Sequence, residues 1–210
     1  MTDTISAQAV AWVSHHGMSS ATYQKKFDQY VAQGFRLVWV DGYAVGGQDR
    51  YAAIWDKSPS GAWVAHHGMN SATYQAKFDQ YVGQGYRLLL VSGYGVAGQD
   101  RYAALWQKSP SGAWVAHHGM SSAGYQAKFD EYTGKGYRLR HVSGYDVGGS
   151  DRYAAIWDKN PTTAWVAHHG MSSAGYQAKF DEYTGKGYRL VLVSGYEKGG
   201  QDRYAALWRK

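Results

Sequence analysis

Apolar and polar positions along this chain fall into one pattern that recurs four times. The copy beginning at Trp63 shows it. Trp63-Val64-Ala65-His66-His67 reads as a short strand, with Trp63, Ala65 and His67 on one face and Val64 and His66 on the other, because successive side chains in a strand point oppositely. Asn70 or Ser71 then caps a helix, since both side chains accept from first-turn amides. Tyr74, Phe78 and Tyr81 stand at i, i+4 and i+7, which sets three rings along one helical face and lays the helix on a sheet. Gly85 supplies the left-handed residue that ends it. A β-rich run, Tyr86 to Ser92, is followed by the loop Gly93 to Gln99 and a third strand, Arg101 to Trp106, and the two runs form a hairpin. Each unit is therefore predicted as strand, helix, strand, strand, which makes the fold α+β and β-rich.

The string His-His-Gly-Met starts at His15, His66, His117 and His168, a constant offset of 51 residues without slippage. Such a period marks a repeat architecture in which each unit buries a face against its neighbour. The joints Ser58-Pro59-Ser60-Gly61, Ser109-Pro110-Ser111-Gly112 and Asn160-Pro161-Thr162-Thr163 hold all three prolines and are only turn-length, so the units must touch. The expected organisation is one repeat domain over residues 1–210, with units at 12–60, 61–111, 112–162 and 163–210. An open stack needs polar outer faces on its terminal units, yet the first and fourth copies keep the same Tyr, Phe, Trp and Leu positions as the inner two. That retention predicts a pseudo-fourfold closed assembly, propeller-like or barrel-like.

Composition narrows the chemistry. The 210 residues include no cysteine, which excludes disulfides, thiolate metal sites and thiol nucleophiles. No apolar run is long enough for a membrane span, and the first ten residues lack the basic start and apolar stretch of a signal peptide. The expectation is no membrane insertion, and a cytoplasmic or non-classically released protein. The net charge of +6 is spread over every unit instead of gathered on one face, so a nucleic-acid partner is not expected. Aromatic residues, 16% of the chain with 19 Tyr and 9 Trp, offer more flat surface than a small core consumes, and some of it is expected to face a ligand.

Acid–base or nucleophilic catalysis needs one asymmetric constellation, whereas here nearly every candidate group occurs four times. The single-copy residues Trp39, Asp41, Arg140, His141 and Lys198 sit at strand and loop positions of different units and form no triad. No nucleophile elbow, HExxH helix or phosphate loop is present. The chain is expected to be no enzyme, to use no cofactor and to hold no metal. Tandem histidines on a strand point to opposite faces, so at least one of each pair is expected to pack, and the second ones, His16, His67, His118 and His169, have two readings, structural or in contact with a ligand. The triplets Asp49-Arg50-Tyr51, Asp100-Arg101-Tyr102, Asp151-Arg152-Tyr153 and Asp202-Arg203-Tyr204 have two readings. In one they brace the hairpin, Asp100 holding Arg87 or Arg101 stacking under Tyr94. In the other, together with Tyr43, Tyr94, Tyr145 and Tyr196 and the platforms Trp63, Trp114 and Trp165, they combine carboxylate, fork-shaped donor and flat ring in the mixture that suits a sugar. The expected function is multivalent, lectin-like carbohydrate binding at up to four equivalent sites, with glycans, polysaccharides or cell-surface glycoconjugates as partners. The alternative is a non-catalytic protein-interaction or substrate-recognition module of a hydrolase system.

The full unit runs His-His-Gly-Met-Ser-Ser-Ala-x-Tyr-Gln-x-Lys-Phe-Asp, Gly-Tyr-Arg-Leu-x-x-Val-Ser-Gly-Tyr, Asp-Arg-Tyr-Ala-Ala-Ile/Leu-Trp-x-Lys. From Trp12 to Lys210 it resembles the bacterial tandem repeat domain family, whose repeats also precede the hydrolase domain of fungal polyglycine hydrolases. The resemblance implies a recognition module that stands beside an enzyme or alone. No Ser-x-x-Lys nucleophile of such a hydrolase occurs in this chain.

Overall fold

The computed structural model describes residues 10–109, 112–160 and 163–210. Each repeat has the predicted order: β1 (Trp12–Met18), α1 (Ser20–Ala32), β2 (Arg36–Val45) and β3 (Gln48–Asp56), then β4 (Trp63–Met69), α2 (Ser71–Gly83), β5 (Tyr86–Val96) and β6 (Gln99–Lys108). The third repeat is β7 (Trp114–Met120), α3 (Ser122–Gly134), β8 (Arg138–Val147) and β9 (Ser150–Asp158); the fourth is β10 (Trp165–Met171), α4 (Ser173–Gly185), β11 (Arg189–Lys198) and β12 (Gln201–Arg209). Every repeat builds its own three-stranded antiparallel sheet, with the third strand in the middle, as in the order β4-β6-β5.

Local chemistry explains these elements. Asn70, not Ser71, is the cap of α2: its Oδ1 accepts from the Thr73 amide at 2.8 Å. Gly85 takes the left-handed conformation at φ +80° just beyond the helix, where a side chain would be strained. The helix lays Tyr74 and Tyr81 on the sheet, their rings 6.1 and 5.4 Å from that of the fully buried Trp106. A bulge between His66 and Met69 breaks the pairing of β4 with β6. It releases His67 from the ladder, and the ring reaches the preceding repeat.

Repeats meet through their second strands, β2 packing on β5 and β6, β5 on β8 and β9, and β8 on β11 and β12. The expected closed assembly is corrected here. Four separate sheets are present, and among the described residues no hydrogen bond, ion pair or ring contact joins repeat 4 to repeat 1. Apolar side chains at the two ends are left open, Trp12 at 66% exposure and Val193 at 48%. The terminal copies keep the residues of the inner junctions although none of the described residues covers them. Among the described residues no helix is long and apolar enough to cross a membrane.

Candidate functional site

The repeated candidate residues converge on the junctions between repeats. Tyr51, Tyr102 and Tyr153 are wholly buried, and their hydroxyls meet those of Tyr94, Tyr145 and Tyr196 of the following repeat at 2.6, 2.7 and 2.7 Å. Tyr51 and Tyr102 donate onward to Asp49 and Asp100 at 2.8 Å, while in the third junction Tyr196 donates to Asp151 at 3.0 Å. Burial, then these neighbours, push the Tyr51 and Tyr102 phenols far above their ordinary range. The tyrosines therefore stay neutral and serve as paired hydroxyls. The partner ring lies so close to the preceding strand that only glycine fits beneath it: a Cβ on Gly93 would come within 2.3 Å of the Tyr145 ring.

The second histidine of each pair works in the same place. His67, His118 and His169 meet Ser20, Ser71 and Ser122 of the preceding repeat at 3.0, 3.0 and 3.1 Å. Their rings stand edge-on to Tyr51, Tyr102 and Tyr153 at 5.0 to 5.1 Å. Burial pushes all three imidazoles down, toward the neutral form that such packing requires. The first histidine turns inward, His66 meeting Tyr81 at 2.7 Å, so the two rings of a pair do point apart. Trp63, Trp114 and Trp165 pack edge-on against Phe27, Phe78 and Phe129 of the preceding repeat at 5.7, 5.8 and 5.6 Å.

These placements correct the idea of four open sugar sites. Tyr51, Tyr94, Tyr102, Tyr145 and Tyr153 have no face free, and the histidines at 67, 118 and 169 are committed to serines. The arginines do not present forks to a ligand: Arg50, Arg101, Arg152 and Arg203 each donate to the carbonyl of the aspartate before them at 2.7 to 3.0 Å. Nor does Asp100 hold Arg87. Arg87 crosses to the buried Asp158 of repeat 3 at 2.7 Å, where Arg138 also binds at 2.9 Å. Burial works against ionisation of Asp158, but these two guanidiniums hold its carboxyl below the ordinary range. The counterparts at the chain's ends, His16, Tyr43, Asp202 and Tyr204, lack these partners among the described residues.

What the repeats do not share comes together elsewhere. The strands β2, β5, β8 and β11 of all four repeats line one central cleft of about 320 Å³. Trp39, Leu90, His141 and Leu192 occupy equivalent positions along its wall, and the Trp39 and His141 rings are 6.1 Å apart. The next inward position is Asp41 in repeat 1 and Ser92, Ser143 and Ser194 in the others. At the hairpin end the equivalents are Ala44, Gly95, Asp146 and Glu197. Asp41, Asp146 and Glu197 thus give the cleft three carboxylates, and among the described residues no Lys or Arg lines it.

Residues 39, 41 and 141 look scattered in the sequence; the stacking of repeats makes them neighbours. Arg140 and Lys198 do not join them, for Arg140 reaches the Leu89 carbonyl at 3.3 Å and Lys198 pairs with Asp151 at 2.5 Å. Asp41 accepts from the Ser92 hydroxyl at 2.8 Å, yet the enclosing strands raise its carboxyl above the ordinary range. Asp146 accepts from the Gly149 amide with one oxygen, while its other oxygen is shielded and has no partner. His141 is buried, and its Nε2–H donates to the Val91 carbonyl at 2.8 Å; burial lowers its pKa to about 4. The missed signal was positional: a residue that differs between copies at one strand position marks the cleft wall. Among the described residues no group of three or more His, Cys, Asp and Glu gathers as a metal cluster.

A family model described as polyglycine hydrolase-like, structural repeat, matches this chain four times, at residues 9–58, 60–109, 111–160 and 162–210. The matches run through nearly the whole sequence and follow the units of sheet and helix described above. The chain belongs to the polyglycine hydrolase-like structural repeat family.

Proposed function

We propose that this chain is a non-catalytic carbohydrate-binding protein that holds one sugar in the central cleft, not four at the repeat surfaces. The observation that carries this reading is the convergence of Trp39, Asp41, Asp146 and Glu197 on one cavity with no Lys or Arg among its described walls. A sugar presents hydroxyl donors around a ring whose C–H face packs on an aromatic plane. Trp39 supplies the plane, and the carboxylates supply acceptors for those donors.

Ser92, whose hydroxyl donates to Asp41 in this cleft, also accepts from the Gly42 amide and so is held in the junction between repeats, which favours holding over transforming. A second reading is favoured by the family to which the chain belongs: a recognition module that serves a hydrolase, with a peptide in the same cleft. Calorimetric titration with a panel of monosaccharides and oligosaccharides tests the first reading. It expects weak binding with one site per chain, lost in Trp39→Ala and Asp41→Asn while the melting temperature stays that of the wild type. No binding by any sugar, four sites per chain, or unchanged binding in both variants defeats it.

A further inference from the structure

We propose that this chain binds a second copy of itself head to tail, the outer face of repeat 4 receiving the outer face of repeat 1 through the contacts that already join neighbouring repeats. The internal junctions define two complementary faces. On one side a repeat offers a serine, a tyrosine and a bare glycine; on the other the next repeat offers a histidine, a tryptophan and a tyrosine ring. Three such junctions are made within the chain, and among the described residues one half of a fourth is left open at each end.

The open halves show what they lack. Val142, at the receiving face of repeat 3, is 1% exposed, and its equivalent Val193 in repeat 4 is 48% exposed. Ser173 is exposed where Ser20, Ser71 and Ser122 are half-buried against histidines. Gly195 is exposed where Gly42, Gly93 and Gly144 lie beneath a tyrosine of the next repeat, and only its own Tyr204 stands near it. At the opposite end His16 is exposed and Trp12 is 66% exposed, against half-buried Trp63, Trp114 and Trp165. Docked as an internal pair docks, His16 would meet Ser173, and the Tyr43 ring would cover Gly195. Paired apolar faces of this kind on one molecule favour association.

Charge agrees with this register. Across the junction of repeats 2 and 3, Arg87 reaches Asp158 at 2.7 Å. The same step from repeat 4 leads from Arg189 to Asp56 of the second copy. Within repeat 4 Arg189 is exposed and lies opposite Arg209, so among the described residues it has no carboxylate there. The serine that accepts from the glycine amide at inner junctions is replaced in repeat 1 by Asp41, which would accept from the Gly195 amide with a charge. Because the two faces differ, the contact is heterologous, and it adds chains in a row unless the rotation closes.

Sedimentation equilibrium across about 10 μM to 1 mM tests the proposal at the concentrations where weak association shows. The expected result is a mass that climbs from the 23.3 kDa chain to its multiples. Gly195→Val should stay at 23.3 kDa throughout with an unchanged melting temperature. Its site is exposed, an added Cβ would lie 3.4 Å from the nearest ring atom of Tyr204, and its φ is not left-handed. Since the chain has no cysteine, a His16→Cys, Ser173→Cys double variant treated with a short thiol cross-linker adds a second readout. A ladder of dimers and longer species is expected, and only traces from either single variant. A constant 23.3 kDa mass for the wild type, association unchanged by Gly195→Val, or cross-linking confined to the single chain would each overturn the proposal.

Discussion

The junctions and the central cleft are built from the same strands yet obey opposite rules. At the junctions three contacts repeat: tyrosine on tyrosine, histidine on serine, tryptophan on phenylalanine, three times over. In the cleft the equivalent positions diverge to Trp39, Leu90, His141 and Leu192. A contact that must be made again and again constrains its residues in each copy. A cavity that the copies enclose together makes no such demand, so its walls are free to differ. Repetition here marks adhesion between units, and divergence marks the place where a ligand can be chosen.

The largest expected effect lies at a junction. Asp158 is fully buried between Arg87 and Arg138, and Asp158→Ala leaves both guanidiniums without a counter-charge. Urea denaturation should show a loss of about 3–5 kcal/mol, and a loss under about 1 kcal/mol would mean that the junction does not depend on that pairing. The cleft wall contributes through pH. His141 has its pKa lowered to about 4 by burial, so between that value and its ordinary 6.5 the unfolded chain binds a proton that the folded chain does not. Stability is therefore complete above pH 6.5 and falls as the pH drops toward 4, by about 3 kcal/mol from this residue. A His141→Leu variant, which matches Leu90 and Leu192, should flatten that part of the melting-temperature profile; an unaltered profile would assign the acid sensitivity to the junction histidines instead.

A smaller effect separates harmless divergence from both roles. Ala97 sits at φ +49° in the hairpin turn of repeat 2, where the other three repeats have Gly46, Gly148 and Gly199. Ala97→Gly should relieve a left-handed strain of about 1 kcal/mol, offset in part by the added freedom of the unfolded chain. A small rise in melting temperature is expected, and a fall would show that the turn is not strained.

Much of the unit was legible in the sequence. Aromatic spacing gave the helix, the pair Asn70-Ser71 narrowed its cap to two residues, and Gly85 gave its end, because these depend on neighbours within a few residues. The fate of the Asp-Arg-Tyr triplets was not legible. A ring with a polar tip beside a carboxylate has the same chemistry in a sugar site as in a dry junction, and only burial tells them apart. Tyr102 reads as a platform and is in fact wholly enclosed. The cleft was hidden for another reason: Trp39 and His141 are 102 residues apart and become neighbours only through the stacking of whole repeats. Closure fails as an inference because apolar ends need not be covered within one chain.

The role of the repeated residues as adhesive between units is tested most directly by a double-mutant cycle on the hydroxyl pair of Tyr102 and Tyr145, 2.7 Å apart and buried at the junction of repeats 2 and 3. Tyr102→Phe, Tyr145→Phe and the double variant are compared by urea denaturation. A coupling of about 1 kcal/mol is expected from a shared buried hydrogen bond. Strict additivity, with each single change costing nothing, would contradict it and return these tyrosines to the pool of residues available for a ligand.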